Sequence, residues 1–223
     1  MHPAHHADEA DTLSSTENFY DSVRAVIAPR LVNVGFRQRD NLIFNRPVGR
    51  LIQVIELAGH HPDDERFTVR LGIHLPFVPD LNGDEQDPLV IPGVTRCQLR
   101  ASLGKILYGK DFIWKTSPVW DEAYRQMRDA LRGILIHGLG WLAQSSEQET
   151  MIRCFTRAAA RYPEGHRSTQ VPPALLLGLL HEAGSRTATA RDWYLCALAA
   201  EPALSFGLRR WLYNRLHNLP SES

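Results

Sequence analysis

The chain has 223 residues, 43% of them hydrophobic, enough to bury one large core or two small ones. Its 25 Lys and Arg balance 25 Asp and Glu, so the bulk charge gives no nucleic-acid or membrane footprint. The 3 cysteines, Cys97, Cys154 and Cys196, are widely spaced, which argues against a disulfide framework or a cysteine zinc site and fits reduced thiols in a cytoplasm. No apolar run approaches the ~18 residues of a membrane span, and the first residues lack the apolar centre of a signal peptide. A membrane partner is not expected. The charge is unevenly spread, however. Up to Pro92, 14 acids face 8 Arg and no Lys, giving −6; the remaining 11 acids face 17 bases, giving +6.

In chain order, residues 1–15 read as a disordered tail. Ser15 or Thr16 caps a first helix whose inward face carries Phe19, Val23, Val26, Ile27 and Leu31. Pro29 within it signals a kink or break, and Gly35 ends it. Period-two alternation then predicts strands near 41–46, 50–58 and 66–75, joined by Pro47-Val48-Gly49 and by the polar loop Gly59–Glu65. Residues 76–94, with four prolines and Asn82-Gly83, form a long loop. A fourth strand fits Arg96 to Leu103, with continuation through Ile106 and Leu107 left open. From Val119 the period turns helical. Trp120, Tyr124, Met127, Leu131, Ile134, Leu135 and Leu139 mark a long helix, and Ile152, Phe155 and Ala159 a second. Strands followed by helices make the fold α+β, with an antiparallel sheet of four to five strands and a helical C-terminal half. The organisation is a tail to 15, an α+β domain over 16–145, and a helical extension over 146–223.

That extension carries a tetratricopeptide-like pattern. Leu177-Gly178, Ala190, Tyr194, Ala197 and Pro202 match the spacing of this repeat of ~34 residues. Small residues at 178 and 190 let two helices approach, and Tyr194 fills the space between them. Ala174 and His181 stand where the repeat usually has aromatics. One repeat has no groove of its own, so the hairpin packs on its neighbours, with 205–217 as a final helix.

Few constellations carry chemistry. His60, His61, Asp63, Asp64 and Glu65, with His74 across a hairpin, hold metal-ligand types, but adjacent histidines on a turn diverge and no second shell is visible; no metal is expected. Asp80-x-Asn82-x-Asp84 opens like a calcium loop and then fails at Glu85 and Ile91. There is no Gly-x-Ser-x-Gly, no phosphate-cradling loop with lysine and no His-Glu-x-x-His, so no catalytic residue and no cofactor is expected. Arg209, Arg210 and Arg215 beside Trp211 and Tyr213 are too few to make nucleic acid an expected partner.

Gly35-Phe36-Arg37 leading to Phe44-x-Arg46, and then Phe67-Thr68-Val69-Arg70-Leu71-Gly72-Ile73, resembles the opening of a bacterial family of domains of unknown function. The run Arg96–Lys105, followed by Asp111-Phe112-Ile113-Trp114, resembles that family's middle strand and aromatic motif. The likeness covers about residues 17–145. At Asp111–Trp114 the chain departs from it, since the family usually has adjacent tryptophans there. The resemblance implies kinship with immunity proteins that neutralise bacterial toxins. The expected function is therefore a non-enzymatic protein-binding protein of immunity type. Its expected partner surface is acidic, comprising Asp63, Asp64, Glu65, Asp84, Glu85 and Asp87, facing a toxin with a basic surface. Two rivals stay open: a metal-dependent hydrolase using the His60–Glu65 loop, and an interaction scaffold using the C-terminal helices.

Overall fold

The computed structural model describes residues 15–58, 66–87, 90, 92–161, 171–199 and 204–220. Of the tail expected over residues 1–15, Ser15 already belongs to the first helix and the rest lies outside these residues, as do the 59–65 loop and Pro202. The fold is α+β, with an N-terminal helix, an open antiparallel sheet and a helical C-terminal half.

The first helix is continuous from α1 (Ser15–Ser22) through a π turn (Val23–Ile27) into α2 (Ala28–Asn33). Pro29 does not break it. Proline cannot donate to the carbonyl of Ala25, and just ahead of it the Ala28 N–H reaches back five residues to Val23. Pro29 then falls in the first turn of α2, where a missing donor costs least. At the far end Gly35 adopts φ 89°, while Gly35 N and Phe36 N donate to the carbonyls of Val32 and Leu31 at 3.0 Å each. This is a Schellman stop, with Phe36 packed in the core beside Leu31.

Six strands form the sheet, in the order β1 (Arg37–Asp40), β2 (Ile43–Val48), β3 (Leu51–Ala58), β4 (Arg66–His74) and β5 (Leu99–Ser102), with β6 (Trp114–Lys115) paired to β4. β1 and β2 pair antiparallel with Gln38 opposite Phe44 and a register shift before Asp40. β1 is a strand the alternation did not predict, because Arg-Gln-Arg-Asp is exposed throughout and has no apolar face to signal it. The predicted fourth strand is shorter than its pattern. Val94–Arg96 winds as a 3-10 turn, and past Ser102 the chain becomes α3 (Leu103–Tyr108) instead of continuing as strand. The Ser102 hydroxyl accepts the Lys105 N–H at 3.2 Å, and Gly109 at φ 70° closes the helix. α4 (Trp120–Gly133) passes through a second π turn (Ile134–Gly138) into α5 (Leu139–Ser145), the long helix read from Val119 onward.

The chain divides into two compact units. The first comprises Met1–Arg46, Gln53–Gly72 and Gly93–Leu142. In its core Phe19 packs tilted against Phe67 (centroids 5.2 Å) and Phe67 stacks on Trp114 (5.8 Å). The Trp114 indole N–H is satisfied by Asp129 at 3.0 Å. Trp114 thus serves the core of this unit.

The second unit comprises Pro47–Ile52, Ile73–Pro92 and Ala143–Ser223. It contains α6 (Gln148–Ala159), α7 (Pro173–Ala183), α8 (Thr187–Ala199) and α9 (Phe206–Asn218). Leu175 to Leu180 are all buried, which makes α7 apolar on every side and central to the unit. α7 and α8 form the helix pair expected from the repeat pattern, with Tyr194 packed directly on Gly178 and Ala190 fully buried. The α9 N-terminus meets the Asp80–Asp84 turn so closely that Gly207 lies against the Asn82 carbonyl with no room for a side chain. Ser205 caps α9 by accepting Leu208 N–H at 3.2 Å and donates to the Leu81 carbonyl.

Candidate functional site

α4 reads Trp-Asp-Glu-Ala-Tyr-Arg-Gln-Met-Arg-Asp-Ala-Leu-Arg-Gly. Ala123, Met127, Ala130 and Leu131 face the core of the first unit. On one flank, Asp121, Tyr124, Arg125, Arg128 and Arg132 recur at helical spacing. The first helix contributes Ala25, Val26 and Arg30 to the same place, and the π turn after α4 contributes Leu135 and Ile136. Together they line an open groove of ≈ 1090 Å³. Ala25, with only a methyl group, adds little bulk to the groove wall.

The groove is cationic. Arg30, Arg125, Arg128 and Arg132 line it with Asp121 and Asp129, a net +2. Asp129 is engaged by the Trp114 indole. Among the described residues no side-chain hydrogen bond or ion pair occupies any of the four arginines. Arg128 rests over the Tyr124 ring at 6.0 Å, at the outer limit of a cation–π contact. Apolar side chains are exposed beside the charges, with Tyr124 37% and Ile136 58% accessible.

The acidic residues expected to bind a partner are only partly within view. Asp63, Asp64 and Glu65 lie outside the described residues. Asp84, Glu85 and Asp87 are exposed in the second unit. Asp84 ends a turn ordered by Asp80, whose carboxylate accepts the Asn82 and Asp84 N–H groups at 2.7 and 3.0 Å. Glu85 lines a separate pocket of ≈ 550 Å³ with Arg50, Phe77, Glu182, Trp211 and Arg215. Arg50 lies 5.0 Å over the Phe77 ring. Arg215 clamps Glu182 at 2.6 and 2.9 Å, and Tyr194 donates to the same carboxylate at 2.7 Å. Glu85 therefore belongs to a surface of mixed sign.

Among the described residues no histidine or cysteine lines either pocket. Among the described residues no group of three or more His, Cys, Asp or Glu could hold a metal ion. His74 is buried at the end of β4, while His60 and His61 are outside the described residues. Burial pushes the Cys97 thiol up to about 12, aided by the charge of Glu56, so it is protonated at neutral pH. Burial, then the charge of Arg186, holds the His181 imidazole below its ordinary range. No helix among the described residues is long and apolar enough to cross a membrane.

The groove arginines carried a signal in the sequence. Arg125, Arg128 and Arg132 follow at i, i+3 and i+7 on the flank of an obvious amphipathic helix. Arg30, a hundred residues earlier, is joined to them only by tertiary packing. No protein-family model, no curated protein and no solved structure matches the chain.

Proposed function

We propose that this chain is a non-catalytic binding protein that docks a second protein through the arginine groove, the partner supplying an acidic segment. The observation that supports this reading is the set of four unpaired guanidinium groups around one groove, beside exposed Tyr124 and Ile136. Guanidinium forks match carboxylates bidentately, and arginine and tyrosine are the residue types that anchor protein interfaces. A groove flanked by two helices also has the form that accepts a third, amphipathic one. Asp121 and Asp129 within the groove oppose a continuous polyanion, so nucleic acid fits it less well. The resemblance to immunity-type domains supports the same class of action, the covering of another protein's surface. Asp84, Glu85 and Asp87 do not line the docking groove, and their like charge would repel an acidic segment, so this reading gives them no part in binding it.

The test uses the full chain. Binding of a labelled glutamate- and leucine-rich helical peptide is followed by fluorescence anisotropy at two salt concentrations, with a single-stranded oligonucleotide as competitor. Peptide binding should weaken with salt and fall at least tenfold in the Arg125→Glu/Arg128→Glu variant, at unchanged melting temperature. Co-expression with the product of a neighbouring gene gives a direct trial of the immunity role. Absence of peptide binding, or tighter binding of the oligonucleotide, would overturn the reading.

A further inference from the structure

A smaller cationic pocket in the first unit has no part in the docking groove. Arg70 on β4, Thr95 in the 3-10 turn, Arg100 and Ala101 on β5, Ser102, Lys105 and Asp111 line a cavity of ≈ 290 Å³, with Val94 as its apolar wall. Such a volume is at the small end for ligand pockets. It suits a compact group rather than a polymer or a helix.

Charges in this pocket are unequally satisfied. Lys105 Nζ pairs with Asp111 at 3.4 Å, and the Ser102 hydroxyl donates to the other Asp111 oxygen at 2.6 Å. The Ser102 hydrogen bond comes first and Lys105 adds to it in holding the Asp111 carboxyl below its ordinary range, so Asp111 is ionised at neutral pH. That leaves both arginines uncompensated. Among the described residues Arg70 has no side-chain hydrogen bond or ion pair. Arg100 makes a single long bond, 3.5 Å from Nη1 to the Thr95 carbonyl. Three cations against one carboxylate leave +2 around a cavity that also offers the Thr95 hydroxyl.

We infer that Arg70, Thr95, Arg100 and Lys105 form a binding site for the dianionic phosphate group of a small phosphomonoester. A net +2 matches a phosphate dianion, whereas a lone carboxylate or a phosphodiester brings one negative charge. The two guanidinium groups provide forked donors for phosphate oxygens and the ammonium a point charge. Asp111 has an opposing role. It holds Lys105 in place but repels the incoming anion, so its carboxylate lowers affinity.

Isothermal titration of the full chain at fixed ionic strength tests this with phenyl phosphate, inorganic phosphate and dimethyl phosphate. The two dianions should bind and the diester should bind at least tenfold more weakly, which separates a monoester from a nucleic-acid or phospholipid backbone. Arg70→Gln/Arg100→Gln should weaken phenyl phosphate at least tenfold, and Arg70→Gln alone severalfold, with melting temperatures unchanged. Asp111→Asn should tighten binding severalfold, a gain that loss of structure would not produce. Equal binding of monoester and diester, or weaker binding by Asp111→Asn, would overturn the inference.

Discussion

Gly178 sits at a tight contact between α7 and α8, and replacing it tests how the helix pair is held. A Cβ built there would collide with Cδ1 and Cε1 of Tyr194 and lie 3.0 Å from Cζ. The ring has little freedom to retreat. Tyr194 is fully buried, its edge meets Trp211 at 6.2 Å, and its hydroxyl donates to Glu182, which Arg215 holds in turn. Overpacking of this kind costs ~1–3 kcal/mol. Alanine recovers about 1 kcal/mol of helix propensity over glycine, so Gly178→Ala should net ~0–2 kcal/mol of destabilisation. Gly178→Leu adds three more carbons in the same space. It should reach ~3 kcal/mol or beyond, with up to ~1.5–3 kcal/mol more if the bond from Tyr194 to the Glu182 carboxylate is lost. In a chain of this size ~3 kcal/mol corresponds to ~6–12 °C in melting temperature. Ala188→Leu is the control, at an exposed site on α8 two residues from buried Ala190, and should stay within ~0.5 kcal/mol. Thermal and urea melts by circular dichroism measure all three, and Tyr194→Leu in the Gly178→Leu background should restore part of the loss. Equal effects of Gly178→Leu and Ala188→Leu would refute the close approach of α7 and α8 as the reason for glycine here.

Three further outcomes follow from the geometry. Cys97 has its folded value raised from an ordinary 9.0 to about 12, so its contribution to stability is complete below pH 9 and is lost as pH rises toward about 12; urea midpoints should fall across that window, and Cys97→Ala should flatten the fall. Arg46 donates to the Val34 carbonyl at 2.7 Å and twice to Gln53 Oε1, at 2.7 and 3.0 Å, while lying 4.5 Å over Phe36. Arg46→Lys cannot reproduce that fork and should cost ~1–3 kcal/mol in a urea melt; a neutral result would show that the fork adds nothing to stability. Trp114→Phe removes the indole donor from Asp129 and should lower stability by ~1–3 kcal/mol, with Asp129→Asn costing less because the amide oxygen still accepts.

The sequence signals worked where burial is one-sided. Phe67, Val69, Leu71 and Ile73 are all buried on β4, so alternation located the strand within a residue or two. The helix pair was equally legible, because Gly178, Ala190 and Tyr194 are constrained by a local contact. β1 was invisible, being exposed at all four residues, and α3 was not read as a helix, with strand continuation past Leu103 left open, because Leu103, Ile106 and Leu107 suit either period. The cap that settles α3, Ser102 with Lys105 N–H, depends on a single hydroxyl. Both cationic pockets escaped notice for a different reason. Arg30 joins Arg125, and Arg70 joins Arg100 and Lys105, only through pairings the chain order does not announce. Local periodicity reports which face of an element is wet, not which wet faces become neighbours.

The π turn at Val23–Ile27 is also a phase corrector. Phe19, Val23, Ile27 and Leu31 are all buried at a strict stride of four. On a regular helix of 3.6 residues per turn each such stride overshoots by ~40°, and three would carry Leu31 ~120° away from Phe19. The extra residue in the π turn absorbs ~100° of that drift, keeping the column on the core. The corollary concerns insertions and deletions. Removing the exposed Arg24 would shorten the stride to 19, 23, 26 and 30, which a plain α-helix accommodates without rotating either end. The same deletion in α4 before Met127 would swing the upstream face by ~100° relative to the rest. One segment of the first helix is therefore tolerant in length, although the column positions around it are buried.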